Sequence, residues 1–179
     1  SIVVKFKINF DDQHEISHNT YFLVWTTTPW TLPSNLALCV NSDINYIKIR
    51  VEYKDNQTVN YILGENAYQK YFPSKKLDKN ISKVDIISTL KGNDLVGYIY
   101  EPLFDYFIGK YDGSFQIYSD NYVSEGNGTG IVHQAPAFGE DDYRVCKNYN
   151  IINKHKLPPC PLDANGCFTH EVPDWKGIN

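Results

Sequence analysis

Apolar and polar positions alternate from the first residues. Ile2, Val4, Phe6, Ile8 and Phe10 fall on one face of an extended segment, the pattern of a half-buried strand over residues 2–10. Residues 11–19 are polar and turn-like. Tyr21 to Thr27 is a second strand, rich in β-branched and aromatic residues, and Pro29 and Pro33 end its regular pairing. Leu36 to Val40 is a short apolar strand. Asn45 to Lys54 and Thr58 to Leu63 form a hairpin about Lys54-Asp-Asn-Gln, and Glu65 to Phe72 is a helix closed by Pro73. After a basic stretch, Val84 to Leu90 and Leu95 to Tyr100 are strands around a Gly92-Asn93 turn. Phe115 to Ser119 and Gly130 to Gln134 are further strands, and Glu140 to Asn150 has helical spacing with acids in its first turn, where the helix dipole favours them. Residues 102–113 are irregular and aromatic, and the tail from Pro158 is loop-like.

Short, closely spaced strands with only two or three helices, no repeat and no strict βαβ alternation predict a β-rich α/β domain built on a barrel or highly curved sheet. The 179 residues, 42% of them hydrophobic, suffice for one domain with a core. An aromatic content of 15% argues against disorder. A formal net charge of −4 is not that of a stand-alone nucleic-acid binder, so an RNA partner would be held by a local basic patch or by another part of a larger protein. There is no run of ~18 apolar residues to cross a membrane, and the opening segment lacks the marks of a signal peptide. The chain contains no Met, and it reads as a fragment of a longer protein.

The cysteines Cys39, Cys146, Cys160 and Cys167 form no C-x-x-C pair, and the spacing of Cys160, Cys167 and His170 does not match the usual zinc patterns. They read as free, partly buried thiols. The sequons at Asn56, Asn80 and Asn127 read as chance matches.

Two segments carry candidate chemistry. In Trp25-Thr-Thr-Thr-Pro-Trp-Thr-Leu-Pro-Ser-Asn35, strand alternation sends Thr26 and Thr28 to one face and Thr27 to the other. Pro29 holds Thr28 extended, giving a polar rim beside the aromatic wall of Trp30. A plain packed turn fits the same residues. In Gly128-Thr-Gly-Ile-Val-His-Gln-Ala-Pro-Ala-Phe-Gly-Glu-Asp-Asp-Tyr143, Gly128 and Gly130 allow a ligand to approach main-chain N–H groups. His133 and the acids Glu140, Asp141 and Asp142 on adjoining elements suit a polar, charged substrate, a carboxylate being a good partner for an ammonium group. A core histidine followed by first-turn acids fits as well. No serine-hydrolase elbow, Walker loop or paired metal motif is present, and no cysteine has an evident activating neighbour.

Together the two segments resemble the editing (insertion) domain of class I isoleucyl-, valyl- and leucyl-tRNA synthetases, the isoleucyl form above all. Valyl and leucyl versions carry an arginine where this chain has Thr28. The wording His133-Gln-Ala-Pro-Ala-Phe-Gly139 resembles the eukaryotic cytosolic branch. The resemblance runs from about Phe22 to Trp175. It implies a β-barrel editing domain with peripheral helices, residues 1–179 forming one domain of a much longer cytoplasmic synthetase. It implies an aminoacyl-tRNA deacylase that hydrolyses mischarged Val-tRNA(Ile) and spares Ile-tRNA(Ile), with hydrolysis of valyl-adenylate before transfer left open. A second sieve is needed because one methylene gives only ~1–3 kcal/mol of discrimination, a limit for which this enzyme family is itself the standard example.

By the same resemblance, Asp142 grips the α-ammonium of the attached amino acid, with a slip to Glu140 or Asp141 left open. His133 lines the side-chain site and helps exclude isoleucine. Thr26, Thr27 and Thr28 surround the ester and terminal adenosine, and Trp30, Asn35 and Ala135 complete the substrate pocket. Asp142, Thr27 and His133 are the catalytic candidates. The nucleophile is a positioned water, helped by a ribose hydroxyl of the tRNA. The domain needs no cofactor and no metal, ATP and Mg serving the synthetic part of the full-length enzyme. Expected partners are the valine-charged acceptor end of tRNA(Ile) and the rest of the synthetase, with no membrane and a monomeric state. Lys75, Lys76, Lys79 and Lys83 read as a solvated loop or as a contact to tRNA phosphates. A binding module that holds aminoacyl-adenosine without turnover is the competing reading, and editing of threonine in a valyl enzyme is a third.

Overall fold

The computed structural model describes residues 1–9, 19–73, 77–126 and 128–179. The polar stretch after Phe10, the lysines Lys75 and Lys76, and the Asn127 sequon lie outside the described residues.

The period-two segment forms β1 (Ile2–Asn9), with Phe6 and Ile8 buried while Ile2 at its outer end stays exposed. It pairs antiparallel with β2 (Thr20–Thr26) in a register that sets Phe6 opposite Phe22. The predicted hairpin is β4 (Asn45–Tyr53) with β5 (Thr58–Gly64). Asn56 takes φ 66° in its turn, a left-handed conformation that asparagine tolerates better than most residues. β5 lies parallel to β2, and β4 carries the edge strand β6 (Ile81–Lys91).

Two sequence readings are corrected here. The helix expected over residues 65–72 is a 3-10 turn, Glu65–Ala67, running into the single turn α1 (Tyr68–Tyr71). The strand expected from Leu95 begins late: Gly92–Leu95 is a helical turn, α2, and only Ile99–Tyr100 is strand, β7. The Asp94 carboxylate accepts the Lys91 N–H at 2.9 Å and starts that turn. Gly92 is pressed so closely on Asn41 that a Cβ would lie 1.9 Å from the Asn41 carbonyl oxygen. Strands β6 and β7 therefore do not pair with each other; β7 joins β1.

A second, three-stranded sheet orders β8 (Ile117–Ser119), β3 (Ala37–Val40) and β9 (Val132–Gln134). Hydrogen bonds from Gly97 N–H to Ile117 O (2.9 Å) and from Tyr100 N–H to Phe115 O (3.0 Å) stitch it to β7. At the other end the Gly64 N–H donates to Thr129 O at 2.7 Å, returning the approach to β9 onto the end of β5. The sheet thus curls about a core of Phe6, Phe22, Leu38, Ile62, Tyr100 and Ile117, in the curved, barrel-like form expected. The outer face of β4 and β5 is also buried, Ile47, Ile49 and Leu63 packing with Ala67 and Phe72. That double burial explains why β5 reads as a continuous apolar run rather than an alternation. The longest helix among the described residues, α3 (Glu140–Asn148), sits beyond β9 and buries Val145 and Cys146.

Candidate functional site

Thr26 ends β2, and its hydroxyl accepts the Thr28 N–H at 3.1 Å, which turns the chain out of the sheet. Pro29 then opens a 3-10 helix, Pro29–Ser34, since its fixed φ suits a first helical position. Thr28 and Thr31 therefore stack one turn apart, and the Thr31 hydroxyl donates to Thr28 O at 2.8 Å. Thr26 is buried, while Thr27 and Thr28 are exposed where the chain leaves the sheet, so the simple alternation expected of the three threonines stops at Thr26. Trp30 is 48% exposed and stands edge-on to Phe138, ring centres 5.2 Å apart. Its ring borders a cleft of about 410 Å³ shared with Leu162, Gly166, Phe168 and Asn179.

The second segment meets the first through β9. Leu38 pairs with His133, and the Leu36 N–H donates to Gln134 O at 2.9 Å. His133 is buried, with Nε2 3.0 Å from the Thr31 hydroxyl and Nδ1 3.5 Å from the Asn35 amide nitrogen. Burial lowers its pKa to about 4, so the ring is neutral at neutral pH. Asn35 is buried too, donating to Ala37 O at 2.9 Å and accepting from the Tyr100 hydroxyl at 2.6 Å.

Just past β9, the Ala135 N–H donates to Asp142 Oδ2 at 2.9 Å. Gly139, at the start of α3, leaves the room: a Cβ there would lie 2.8 Å from the Asp142 Cγ. Burial pushes the Asp142 carboxyl up to about 6, against the opposing pull of its backbone N–H contacts. Its neighbours are placed differently. Glu140 is exposed, and Asp141 is engaged by Arg144 at 2.8 Å. Arg144 also grips Asp120 through both guanidinium nitrogens, at 2.6 and 3.0 Å, and clamps α3 to the turn after β8. Of the three acids, Asp142 alone is turned toward the end of β9.

Hydrogen bonds through Thr31 link Thr26, Thr28, Asn35 and His133, and a separate one joins Ala135 to Asp142 just past β9, while Thr27 and Trp30 make none of these bonds and stand exposed. The structure gives the glycines another task than ligand approach. Gly128 (φ 60°) packs on the Trp25 ring, and Gly130 (φ 76°) lies against Gly64 with its carbonyl held by the Tyr46 hydroxyl at 2.7 Å. Sequence reasoning passed over Thr31, Tyr100 and Gly139. Thr31 was open to inference, standing three residues after Thr28 in a proline-initiated turn. Tyr100 carries no local mark, because its partner is 65 residues away. Among the described residues no group of three or more His, Cys, Asp or Glu is placed to hold a metal ion. Lys83 pairs with Asp85 at 2.6 Å.

No family model matches the chain. Solved structures similar to it are GlLeuRS-CP1 (TM-score 0.61, 17% identity, 89% of this chain and 69% of that one) and the editing domain of P. falciparum cytosolic leucyl-tRNA synthetase (TM-score 0.55, 18% identity, 82% and 57%). The fold is thus that of the editing insertion domain of class I aminoacyl-tRNA synthetases. Among curated proteins, the chain is 46% identical over 178 residues to the cytoplasmic isoleucine–tRNA ligase of Mus musculus, covering 99% of this chain and 13% of that protein. The chain belongs to the isoleucyl-tRNA synthetases, of the eukaryotic cytosolic type.

Proposed function

We propose that this domain edits for a longer cytoplasmic isoleucine–tRNA ligase, hydrolysing the ester of mischarged Val-tRNA(Ile) and sparing Ile-tRNA(Ile). The observation that carries the reading is the Asp142 carboxylate, held half-buried at the end of β9 by the Ala135 N–H, two residues along the chain from the neutral, buried His133. With its pKa about 6 it is anionic at neutral pH, and a half-buried carboxylate raised by desolvation, with no cation among the causes of its shift, is well suited to an ammonium group. In this reading Asp142 takes the α-ammonium of the bound amino acid. His133 walls the side-chain site, and the Thr26–Thr28 segment faces the ester and terminal ribose.

A water then adds to the ester carbonyl, and the C–O bond to the ribose breaks, releasing valine and a tRNA with its hydroxyl restored. A neighbouring ribose hydroxyl helps position the water. No side-chain nucleophile is needed. Cys39 and Cys146 would be poor ones, since burial raises both thiols far above their ordinary range. Positioning and fixed dipoles supply the rate, and water is the only co-reactant. The partners are the acceptor end of tRNA(Ile) and the remainder of the synthetase, with this chain forming one inserted domain and acting as a monomer.

The test is deacylation of Val-tRNA(Ile) and Ile-tRNA(Ile) by the chain and by Asp142→Ala. Fast release of valine, slow release of isoleucine and collapse in the variant are expected. Equal release of the two amino acids would remove the specificity, and an active Asp142→Ala would remove the ammonium anchor.

A further inference from the structure

A continuous line of buried polar groups crosses the core behind the pocket: Tyr100, Asn35, His133 and Thr31, each less than a tenth exposed. Its direction can be read from both ends. At one end, the Asn35 amide nitrogen faces the Ala37 carbonyl at 2.9 Å. Turning the amide over would set two acceptor oxygens against each other and leave the Tyr100 hydroxyl, 2.6 Å from Oδ1, without its acceptor. The amide nitrogen is therefore also what faces His133 Nδ1, at 3.5 Å, a long contact in which the ring nitrogen accepts. At the other end, the Thr31 hydroxyl gives its one hydrogen to Thr28 O at 2.8 Å. It can only accept from His133 Nε2, at 3.0 Å, so Nε2 carries the hydrogen. The two ends, fixed by different carbonyls, lead to the same tautomer.

We infer that Tyr100 is a positioning residue: through Asn35 it holds His133 as the neutral, Nε2-protonated tautomer, with both ring nitrogens engaged inside the protein. Such a ring has no free lone pair to take a proton from the attacking water. It serves the editing reaction as an uncharged wall of fixed shape, a role that rests on the function proposed above. The tautomer itself does not depend on that function. Tyr100 suits the task because its ring is anchored independently, edge-on to Phe6 at 5.2 Å and to Phe115 at 6.2 Å between centroids.

The assignment is tested by 15N NMR of the His133 imidazole in the 179-residue chain, without substrate, beside valine and isoleucine release. The wild type is expected to show an unprotonated Nδ1 and a protonated Nε2 at neutral pH. Tyr100→Phe keeps the ring contacts and removes one of the two bonds that orient the Asn35 amide. It should raise the share of the Nδ1-protonated tautomer roughly tenfold, the worth of one buried hydrogen bond, and weaken the preference for valine. Asn35→Asp puts an acceptor opposite Nδ1 and should drive the proton onto it, a check that stands if Tyr100→Phe folds poorly. A wild-type proton on Nδ1, a tautomer unmoved in a folded Tyr100→Phe, or one unmoved in Asn35→Asp would overturn the inference. A chain that shows the expected tautomers but does not distinguish the two charged tRNAs would overturn the proposed function and leave the assignment of Tyr100 standing.

Discussion

Replacing Asp142 by Asn keeps the side chain's shape and an oxygen to accept the Ala135 N–H, and removes the charge. An unfolded aspartate titrates near ~3.9, whereas burial holds the native carboxyl at about 6. Keeping that group ionised in the folded domain therefore costs roughly 3 kcal/mol at neutral pH. The sign follows from where each state binds its proton. Below ~4 both states are protonated and the cost is absent. From ~4 to about 6 the unfolded chain has released its proton while the native one retains it, so wild-type stability falls as pH rises, and above 6 the cost is complete. His133 acts oppositely: its native pKa of about 4 lies below the ~6.5 of an unfolded histidine, so it loses stability as pH falls through that range. It is present in both proteins and cancels in the difference. Asp142→Asn should thus match wild type at acid pH and gain on it up to roughly 3 kcal/mol above pH ~6, while valine release collapses. For a domain of this size that is on the order of 10 °C in Tm. Urea unfolding followed by tryptophan fluorescence across this pH range measures it. An Asn variant no more stable at neutral pH, or a gain that does not change with pH, would refute the argument that burial sets this carboxyl's pKa.

Two further outcomes follow from the same geometry. Gly139→Ala places a methyl group 2.8 Å from the Asp142 Cγ, at a backbone φ of −138° that alanine accepts freely; kcat/KM for valine release should fall ~10-fold or more while the unfolding midpoint moves little, and a fully active variant would show that the carboxyl's position is not critical. Alkylation of the native chain followed by mass spectrometry should label exposed Cys160 and spare buried Cys39 and Cys146 until denaturant is added, the Cys146 thiol being pushed up to about 12 by burial.

The parts of the fold that sequence patterns reveal are those governed by local chemistry. β1, the β4–β5 hairpin and the acidic start of α3 stand where alternation, turn residues and the helix dipole put them. The reading failed at residues 92–98, where a glycine and a polar turn look like a hairpin. What decides the path there is Gly92 wedged on Asn41, a contact about fifty residues away in sequence. Likewise the helix expected up to Phe72 is cut to one turn, where Phe72 leaves the helix and stacks on Tyr61 of β5. In the candidate site, the resemblance points to Asp142 and His133, and the structure adds what distinguishes Asp142 from its acidic neighbours. Asp141 is spent on Arg144, and Gly139 opens space only for the third acid. Tyr100 was invisible because its value lies in reaching Asn35 across the core.

The bond between Thr31 and His133 joins residues 102 positions apart, and that separation bears on the order in which the chain acquires its parts. Contacts across the β4–β5 hairpin, such as Tyr53 to Tyr61, close a loop of only 8 residues. With loop closure costing ~0.6 kcal/mol for each doubling of length, the Thr31–His133 contact begins about 2 kcal/mol behind the hairpin's. It becomes available only once β9 has been synthesised. A growing or truncated chain can hold β4 paired with β5 on one side and β6 on the other before Thr31 and His133 meet. The setting of the His133 ring is thus assembled late, on a scaffold that earlier stretches of sequence have already made.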